Sequence, residues 1–217
     1  MPALARTLEP EILDSLDPTD SRAVRSRRDL EWIDRWMGNS RWIATTVSRS
    51  PDSARRIVEL GAGTGGLCQK LHSMLPRSQV AGMDLAPRPP SLPEGVQWIT
   101  GDIFQTLATH HGGCCVGSLV LHHFSDTALR VLGARLADFS ELLFVEPLRS
   151  RVALAASRLV SPLAGEVTRH DMPASIRAGF VPGELMRTLG LHPEKWVSLE
   201  DRGCPWRGWV RFHAIQR

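Results

Sequence analysis

The stretch Val58-Glu59-Leu60-Gly61-Ala62-Gly63-Thr64-Gly65-Gly66 joins a short apolar run to a segment of helical pattern. Glycines at such a junction let the chain turn sharply and let a ligand lie against bare backbone. Glu59 stands two residues before the first glycine, where a carboxylate can meet a cationic group. Asp84 closes the next apolar run, in Gly82-Met83-Asp84-Leu85. Asp102 follows the run after that, in Gly101-Asp102-Ile103-Phe104. An ionised Asp offers only acceptors, so Asp84 suits a pair of ligand hydroxyls. Any one of these acids could be a surface residue. Three at the ends of successive strands fall where open α/β sheets bind ligands.

Histidines supply the other candidate chemistry. Leu121-His122-His123-Phe124 ends the fourth apolar run. An imidazole there can act as a general base near neutral pH, or it can hold the loop by hydrogen bonds. A second cluster is Thr168-Arg169-His170-Asp171, followed by Ser175-Ile176-Arg177. His170 oriented by Asp171 would be a base, with Arg169 or Arg177 binding an anionic oxygen. The same residues also read as a capped helix start at Asp171 with Pro173 inside it.

Alternating strand and helix patterns must position these groups. Residues 1 to 50 read as helical: Asp17-Pro18-Thr19-Asp20 opens a helix, Leu30, Ile33, Trp36 and Met37 recur at helical spacing, and Gly38-Asn39 stops it. Trp42 to Val47 forms another short helix. From residue 56, strands are expected at Arg56 to Leu60, Gln79 to Leu85, Val96 to Thr100, Cys114 to Leu121 and Glu141 to Leu148. Helices fall at Gly65 to Leu75 and Thr127 to Phe139. Such alternation implies a parallel sheet covered on both faces. Val152 to Leu163 and Pro182 to Leu189 read as helices. Lys195 to Leu199 and Arg207 to Ile215 read as a hairpin joined by the turn-rich Asp201 to Pro205. Seven strands are expected. Residues 1 to 50 form a helical extension or lid, and residues 51 to 217 the ligand-binding domain.

Composition narrows the class. The 217 residues suit one domain with a full core. A net charge of +3 is too small to argue for nucleic acid, and Arg22, Arg25, Arg27 and Arg28 read as a solvated helix face. No apolar run reaches the roughly 20 residues of a membrane span. Met1 to Leu16 has no signal-peptide core, so a cytoplasmic protein is expected. Cys68, Cys114, Cys115 and Cys204 form no C-x-x-C pair, which leaves a zinc site without support and free thiols as the expected state.

Glu59-Leu60-Gly61-Ala62-Gly63-Thr64-Gly65 resembles the first motif of class I S-adenosylmethionine-dependent methyltransferases. The resemblance covers residues 55 to 150. It implies a Rossmann-like, doubly wound α/β fold and S-adenosylmethionine as cofactor, held by Glu59, Gly61, Ala62, Gly63, Gly65, Asp84, Leu85, Asp102 and Ile103. By it, Glu59 lies near the cofactor's amino group, Asp84 binds the ribose, Asp102 contacts the adenine amino group and Ile103 packs on the ring. The segment at His122 and His123 resembles that of small-molecule methyltransferases, where it borders the transferred methyl group. The whole chain is similar to small bacterial enzymes associated with polyketides or phenolic lipids. One departure is the fourth strand, Cys114-Cys115-Val116-Gly117-Ser118, which lacks the acid often found there.

The expected reaction is methyl transfer to a small organic acceptor, a phenolic or enolic hydroxyl above all, with His123, His170 and Asp171 as catalytic residues and His122, Arg169 and Arg177 facing the acceptor. No metal is implied. Carbon methylation of a quinol-like ring and a non-catalytic cofactor-binding regulator are the alternatives. The letters also fit G-x-G-x-x-G through Gly61, Gly63 and Gly66, the mark of an NAD-dependent reductase. Glu59, the third acidic site and the late position of the glycines argue against it. Nucleic-acid methylation would call for an Asn-Pro-Pro-Tyr-type tetrad, and the chain has no Tyr.

Overall fold

The computed structural model describes residues 4–50, 55–107 and 112–217. Helices α1 (Ile12–Ser15), α2 (Ser21–Met37) and α3 (Asn39–Ser48) precede the sheet. Then come β1 (Arg56–Leu60), α4 (Gly66–Met74), β2 (Gln79–Asp84), β3 (Gln97–Thr100), α5 (Ile103–Thr106) and β4 (Cys114–Ser118). They are followed by α6 (Asp126–Leu136), β5 (Glu141–Pro147), α7 (Arg151–Val160), α8 (Glu166–Ala178), α9 (Glu184–Thr188), β6 (Trp196–Cys204) and β7 (Trp209–Gln216).

The seven strands lie in the order β3-β2-β1-β4-β5-β7-β6. β1 to β5 pair parallel, and β7 runs antiparallel to both β5 and β6. This is the expected doubly wound sheet with its terminal hairpin. Strand alternation splits the core into two layers. Ile57, Val80, Cys114, Val116 and Leu143 face α3 and α4. Val58, Leu60, Cys115, Leu142 and Phe144 face α6 and α9. Cys114 and Cys115 therefore point to opposite faces, and all four cysteines are free thiols.

The strand order reverses between β1 and β4. The chain leaves β1 toward β2 and β4 toward β5, so a crevice opens above their carboxyl ends. Glu59 and His122 both stand at this crevice.

Several boundaries differ from the sequence reading. β4 ends at Ser118, because Leu119 takes a positive φ of 59° and turns the chain into a 3₁₀ turn at Leu121–His123. The Asp17 to Asp20 stretch is a turn rather than a helix, with Asp20 as the N-cap of α2. Thr168 to Asp171 lie inside α8, which starts at Glu166 and carries Pro173 within it. β6 runs on through Asp201 to Cys204, so the hairpin turns only at Pro205 to Gly208. The extended β6–β7 ladder overrides the local turn preference of Asp201 to Pro205. Gly38 ends α2 in a left-handed conformation and α3 begins at the next residue.

Candidate active site

A cavity of about 630 Å³ opens above the crevice between β1 and β4. That size lies within the usual range for small-molecule sites, roughly 300–1,000 Å³. Its floor is the glycine loop and Glu59. Its walls come from α2, through Trp32 and Trp36, from α8, through Met172 and Ile176, and from the turn at His122 and His123. Trp32 and Trp36 are 45% and 49% exposed, so they belong to the cavity wall rather than the core.

Gly61, Gly63 and Gly65 all have positive φ, between 53° and 76°, which a side chain would strain. They turn β1 into α4. A Cβ on Gly63 would meet nothing within 4 Å, so this backbone borders open space.

Glu59 is buried to 4% exposure. Its Oε2 has no hydrogen-bond partner among the described residues. Burial pushes the Glu59 carboxyl up to about 8, against hydrogen bonds from Cys68, and nearby Asp84 and Asp34 add repulsion. A buried carboxyl with an orphaned oxygen on the cavity floor is short of a hydrogen-bond donor.

Asp84 accepts hydrogen bonds from the Gly63 N–H and the Ala86 N–H, both at 2.8 Å. It ties the glycine loop to β2 and retains acceptor capacity, since an ionised carboxylate offers about four lone-pair sites. Leu85 beside it is 76% exposed. Asp102 caps α5 through the Phe104 N–H at 2.8 Å, and Ile103 is buried in the core. Asp84, Leu85, Asp102 and Ile103 stand at the ends of β2 and β3, outside the 630 Å³ cavity.

The opposite wall holds an arrangement centred on His122. Its ring is buried, with Nδ1 2.8 Å from Glu146 and Nε2 3.5 Å from Glu11. Glu146, at the end of β5, is wholly buried. It also accepts from the backbone N–H groups of Val120, Leu121 and His122 at 2.8–3.2 Å. The left-handed Leu119 turns these donors inward, strain of the kind found at functional sites. Burial opposes a charge on His122, but hydrogen bonds and charges from Glu11 and Glu146 outweigh it and raise its pKa to about 9. Burial likewise works to raise Glu11, yet His122, His123 and Ser175 draw it below the usual carboxylate range.

His123 packs against His122, ring centres 4.2 Å apart, and its Nδ1 lies 3.3 Å from Asp14. It lines the cavity and is partly exposed. His170 does pair with Asp171, at 2.9 Å, but it is exposed and stands outside the cavity. Asp171 lines the cavity and accepts from the N–H groups of Ile12 and Leu13 at 2.8 and 3.0 Å. It anchors the N-terminal strap that carries Glu11 and Asp14. Arg6 fastens the same strap, bonding to the carbonyls of Ala178 and Phe124 and to Asp126. Arg169 lies outside the cavity. So does Arg177, which faces Glu9 at 3.5 Å.

The structure therefore brings Glu59, Gly61, Ala62, Gly63, His122, His123 and Asp171 to one cavity, and leaves His170, Arg169 and Arg177 outside it. Glu146 and Glu11, the two carboxylates that contact His122, were not among the candidates from the sequence. Glu146 left a signal, a charge inside the apolar run of the fifth strand, where burial demands a partner. Glu11 left none, because its contact with His122 spans more than a hundred residues.

No protein-family model matches the chain, and no curated protein does. Solved structures do. The chain superposes on the plantazolicin methyltransferase BamL, in complex with a triazolic desmethylPZN analog and SAH, with a TM-score of 0.73 at 10% identity over 94% of this chain and 92% of that one. For the plantazolicin methyltransferase BpumL, in complex with a monoazolic desmethylPZN analog and SAH, the TM-score is 0.70 at 11% identity, covering 92% and 91%. For human N-acetylserotonin methyltransferase in complex with SAM it is 0.59 at 17% identity, covering 93% of this chain and 60% of that one. The fold of this chain is that of the S-adenosylmethionine-dependent methyltransferases.

Proposed function

We propose that this protein transfers a methyl group from S-adenosylmethionine to a hydroxyl of a small phenolic or enolic acceptor. The observation that carries the reading is the orphaned, buried Glu59 carboxyl on the floor of a cavity bordered by bare glycine backbone. The cofactor's amino group is a cation of the right kind for that oxygen. Asp84 has acceptor capacity left for the ribose hydroxyls, and the exposed Leu85 offers an apolar face to a flat ring. Asp102 and Ile103 remain candidates for the adenine end. When bound, S-adenosylmethionine supplies a sulfonium methyl whose carbon–sulfur bond breaks, its electron pair going to sulfur, as the acceptor oxygen bonds to the carbon.

The protein's own part is alignment and a proton. Alignment in the cavity can contribute roughly 7–11 kcal/mol. For the proton we assign His122 the leading role, ahead of His123 and His170. Glu146 fixes its Nδ1, which leaves Nε2 facing Glu11 across the cavity wall. The acceptor hydroxyl takes the place of Glu11 at Nε2. With one carboxylate instead of two, the imidazole comes nearer the range where it exchanges protons at neutral pH. As Glu11 withdraws, the Nε2 proton passes to solvent; the neutral imidazole then takes the acceptor proton, and Glu146 holds the resulting charge. His123 and Asp171 border the acceptor, and the N-terminal segment with Trp32 and Trp36 covers it.

Calorimetric titration with S-adenosylhomocysteine and with NADH tests the cofactor. Binding of the first and not the second is expected. Binding of NADH alone would replace the reading with a reductase. A non-catalytic regulator would bind the cofactor product yet methylate nothing in a broad phenol panel.

A further inference from the structure

A second groove, of about 920 Å³, runs beside the first cavity. It lies between α3 and the β6–β7 hairpin. Arg35, Trp36, Met37 and Arg207 line both, so the two spaces adjoin along these side chains. Arg41 and Arg49 continue the groove along α3, and Arg211 forms its floor on β7. The whole chain carries a net charge of only +3, so these arginines are a local concentration of positive charge.

The groove's acids offset them only in part. Glu141 is engaged by Arg55 and by His213 at 2.7 Å, while Glu200 accepts from the Trp42 indole at 3.1 Å and attracts Arg211. The side chains of Arg35, Arg41, Arg49 and Arg207 have no hydrogen bond or ion pair among the described residues. Arg211 is held between Trp209 and Trp42, with ring distances of 4.1 and 5.2 Å, and donates to the carbonyls of Met37 and Gly38. Its buried Nε has no partner among the described residues. Guanidinium forks match paired oxygens of carboxylates and phosphates, and a concave wall focuses their field.

We infer that the methyl acceptor carries an anionic extension, a carboxylate or a phosphate. The extension leaves the methyl-transfer cavity between Arg35 and Arg207 and lies along the groove against Arg41, Arg49 and Arg211. The inference rests on the methyltransferase reading, since it continues that same cavity.

The test uses the full chain loaded with S-adenosylhomocysteine and four calorimetric probes: 2-naphthol, and 2-naphthol with a propyl carboxylate, propyl phosphate or propylammonium arm. At low salt one or both anionic arms should tighten binding about tenfold over the bare ring, a gain that high salt shrinks because exposed charges are screened. Comparing the two anionic arms tells carboxylate from phosphate. In the double variant R41Q/R49Q the gain should vanish, while affinity for 2-naphthol and for S-adenosylhomocysteine and the melting temperature stay unchanged. No discrimination among the probes, a preference for the ammonium arm, or an anion preference that survives R41Q/R49Q overturns the inference. A protein that takes S-adenosylhomocysteine without discriminating the arms refutes the groove alone. One that takes no S-adenosylhomocysteine refutes the cofactor reading and the groove with it.

Discussion

At the cofactor end of the cavity, Glu59 and the glycines come from eight consecutive residues, 59 to 66, at one strand–helix junction. At the acceptor end, Glu11, His122, Glu146 and Asp171 come from four distant stretches: the N-terminal strap, the turn after β4, the end of β5 and the middle of α8. The electrostatics differ as well. The first end holds a carboxyl short of a cation. The second holds an imidazole between two carboxylates, each already paired with it inside the protein. One end is prepared for a ligand that brings its own charge, and the other for a ligand that must displace an internal partner.

The largest expected effect lies at the acceptor end. Once an acceptor is found, His122→Ala should lower the methyl-transfer rate by roughly 10²–10⁴-fold and leave S-adenosylhomocysteine affinity intact. His123→Ala and His170→Ala should stay near the wild-type rate, and a larger loss in either would move the base there. In the wild type, kcat/KM should climb with pH and level near 9, because the free protein holds His122 protonated below that. Glu11, His122 and His123 each bring a ligand atom within 4.8 Å of the others, so the assay should be repeated with a chelator. An unchanged rate is expected, and an abolished rate would assign the cluster to a metal ion.

The next effects lie at the cofactor end. Glu59→Gln and Asp84→Ala should each weaken S-adenosylhomocysteine binding by about 1.5–3 kcal/mol, the scale of hydrogen bonds to charged groups, read by calorimetry. Asp84→Ala also frees the Gly63 N–H, so equal affinity in that variant would detach β2 from the site. Glu59 carries a second signature. Its pKa is raised on folding, from 4.5 to about 8, so the folded state binds the extra proton and stability falls as pH rises through that window. The melting temperature of the wild type relative to Glu59→Gln should therefore drop between about pH 5 and pH 8. A parallel pair of curves would contradict the burial argument.

The smallest effect concerns the strap. Asp171→Ala removes the acceptor for the Ile12 and Leu13 N–H groups. Losing a cap of this kind costs about 0.5–2 kcal/mol, so amides of residues 12 and 13 should exchange faster while the sheet is unaffected. Unaltered exchange there would mean that Arg6 and the contacts of Glu11 and Asp14 hold the strap without Asp171.

The same contrast explains what the sequence could tell. The glycine loop, Glu59 and Asp84 were legible because they sit at the ends of strands whose apolar runs are unmistakable, and the same runs made the parallel sheet legible. Gly38 was legible as a helix stop because a left-handed residue favours glycine. The acceptor wall was legible only in part. His122 and His123 stood out as neighbours, but which of them is buried depends on Leu119 turning the chain, and a leucine announces no positive φ. The pairing of His170 with Asp171 was foreseen, and the structure forms it on an exposed face, since α8 begins five residues earlier than the local capping pattern implied. The run from Asp201 to Pro205 reads as a turn by itself, and only the long ladder to β7 makes most of it a strand.

The central claim is that Glu59 waits, largely protonated at neutral pH, for the cationic amino group of the cofactor. Calorimetric titration of S-adenosylhomocysteine at pH 7 in two buffers of different ionisation enthalpy tests it directly. Binding should release close to one proton per ligand, because the incoming ammonium drives Glu59 to ionise. The release should fade as the pH passes the free carboxyl's value of about 8, and should be absent in Glu59→Gln. Binding without proton release at pH 7, or release that persists in Glu59→Gln, would contradict the account.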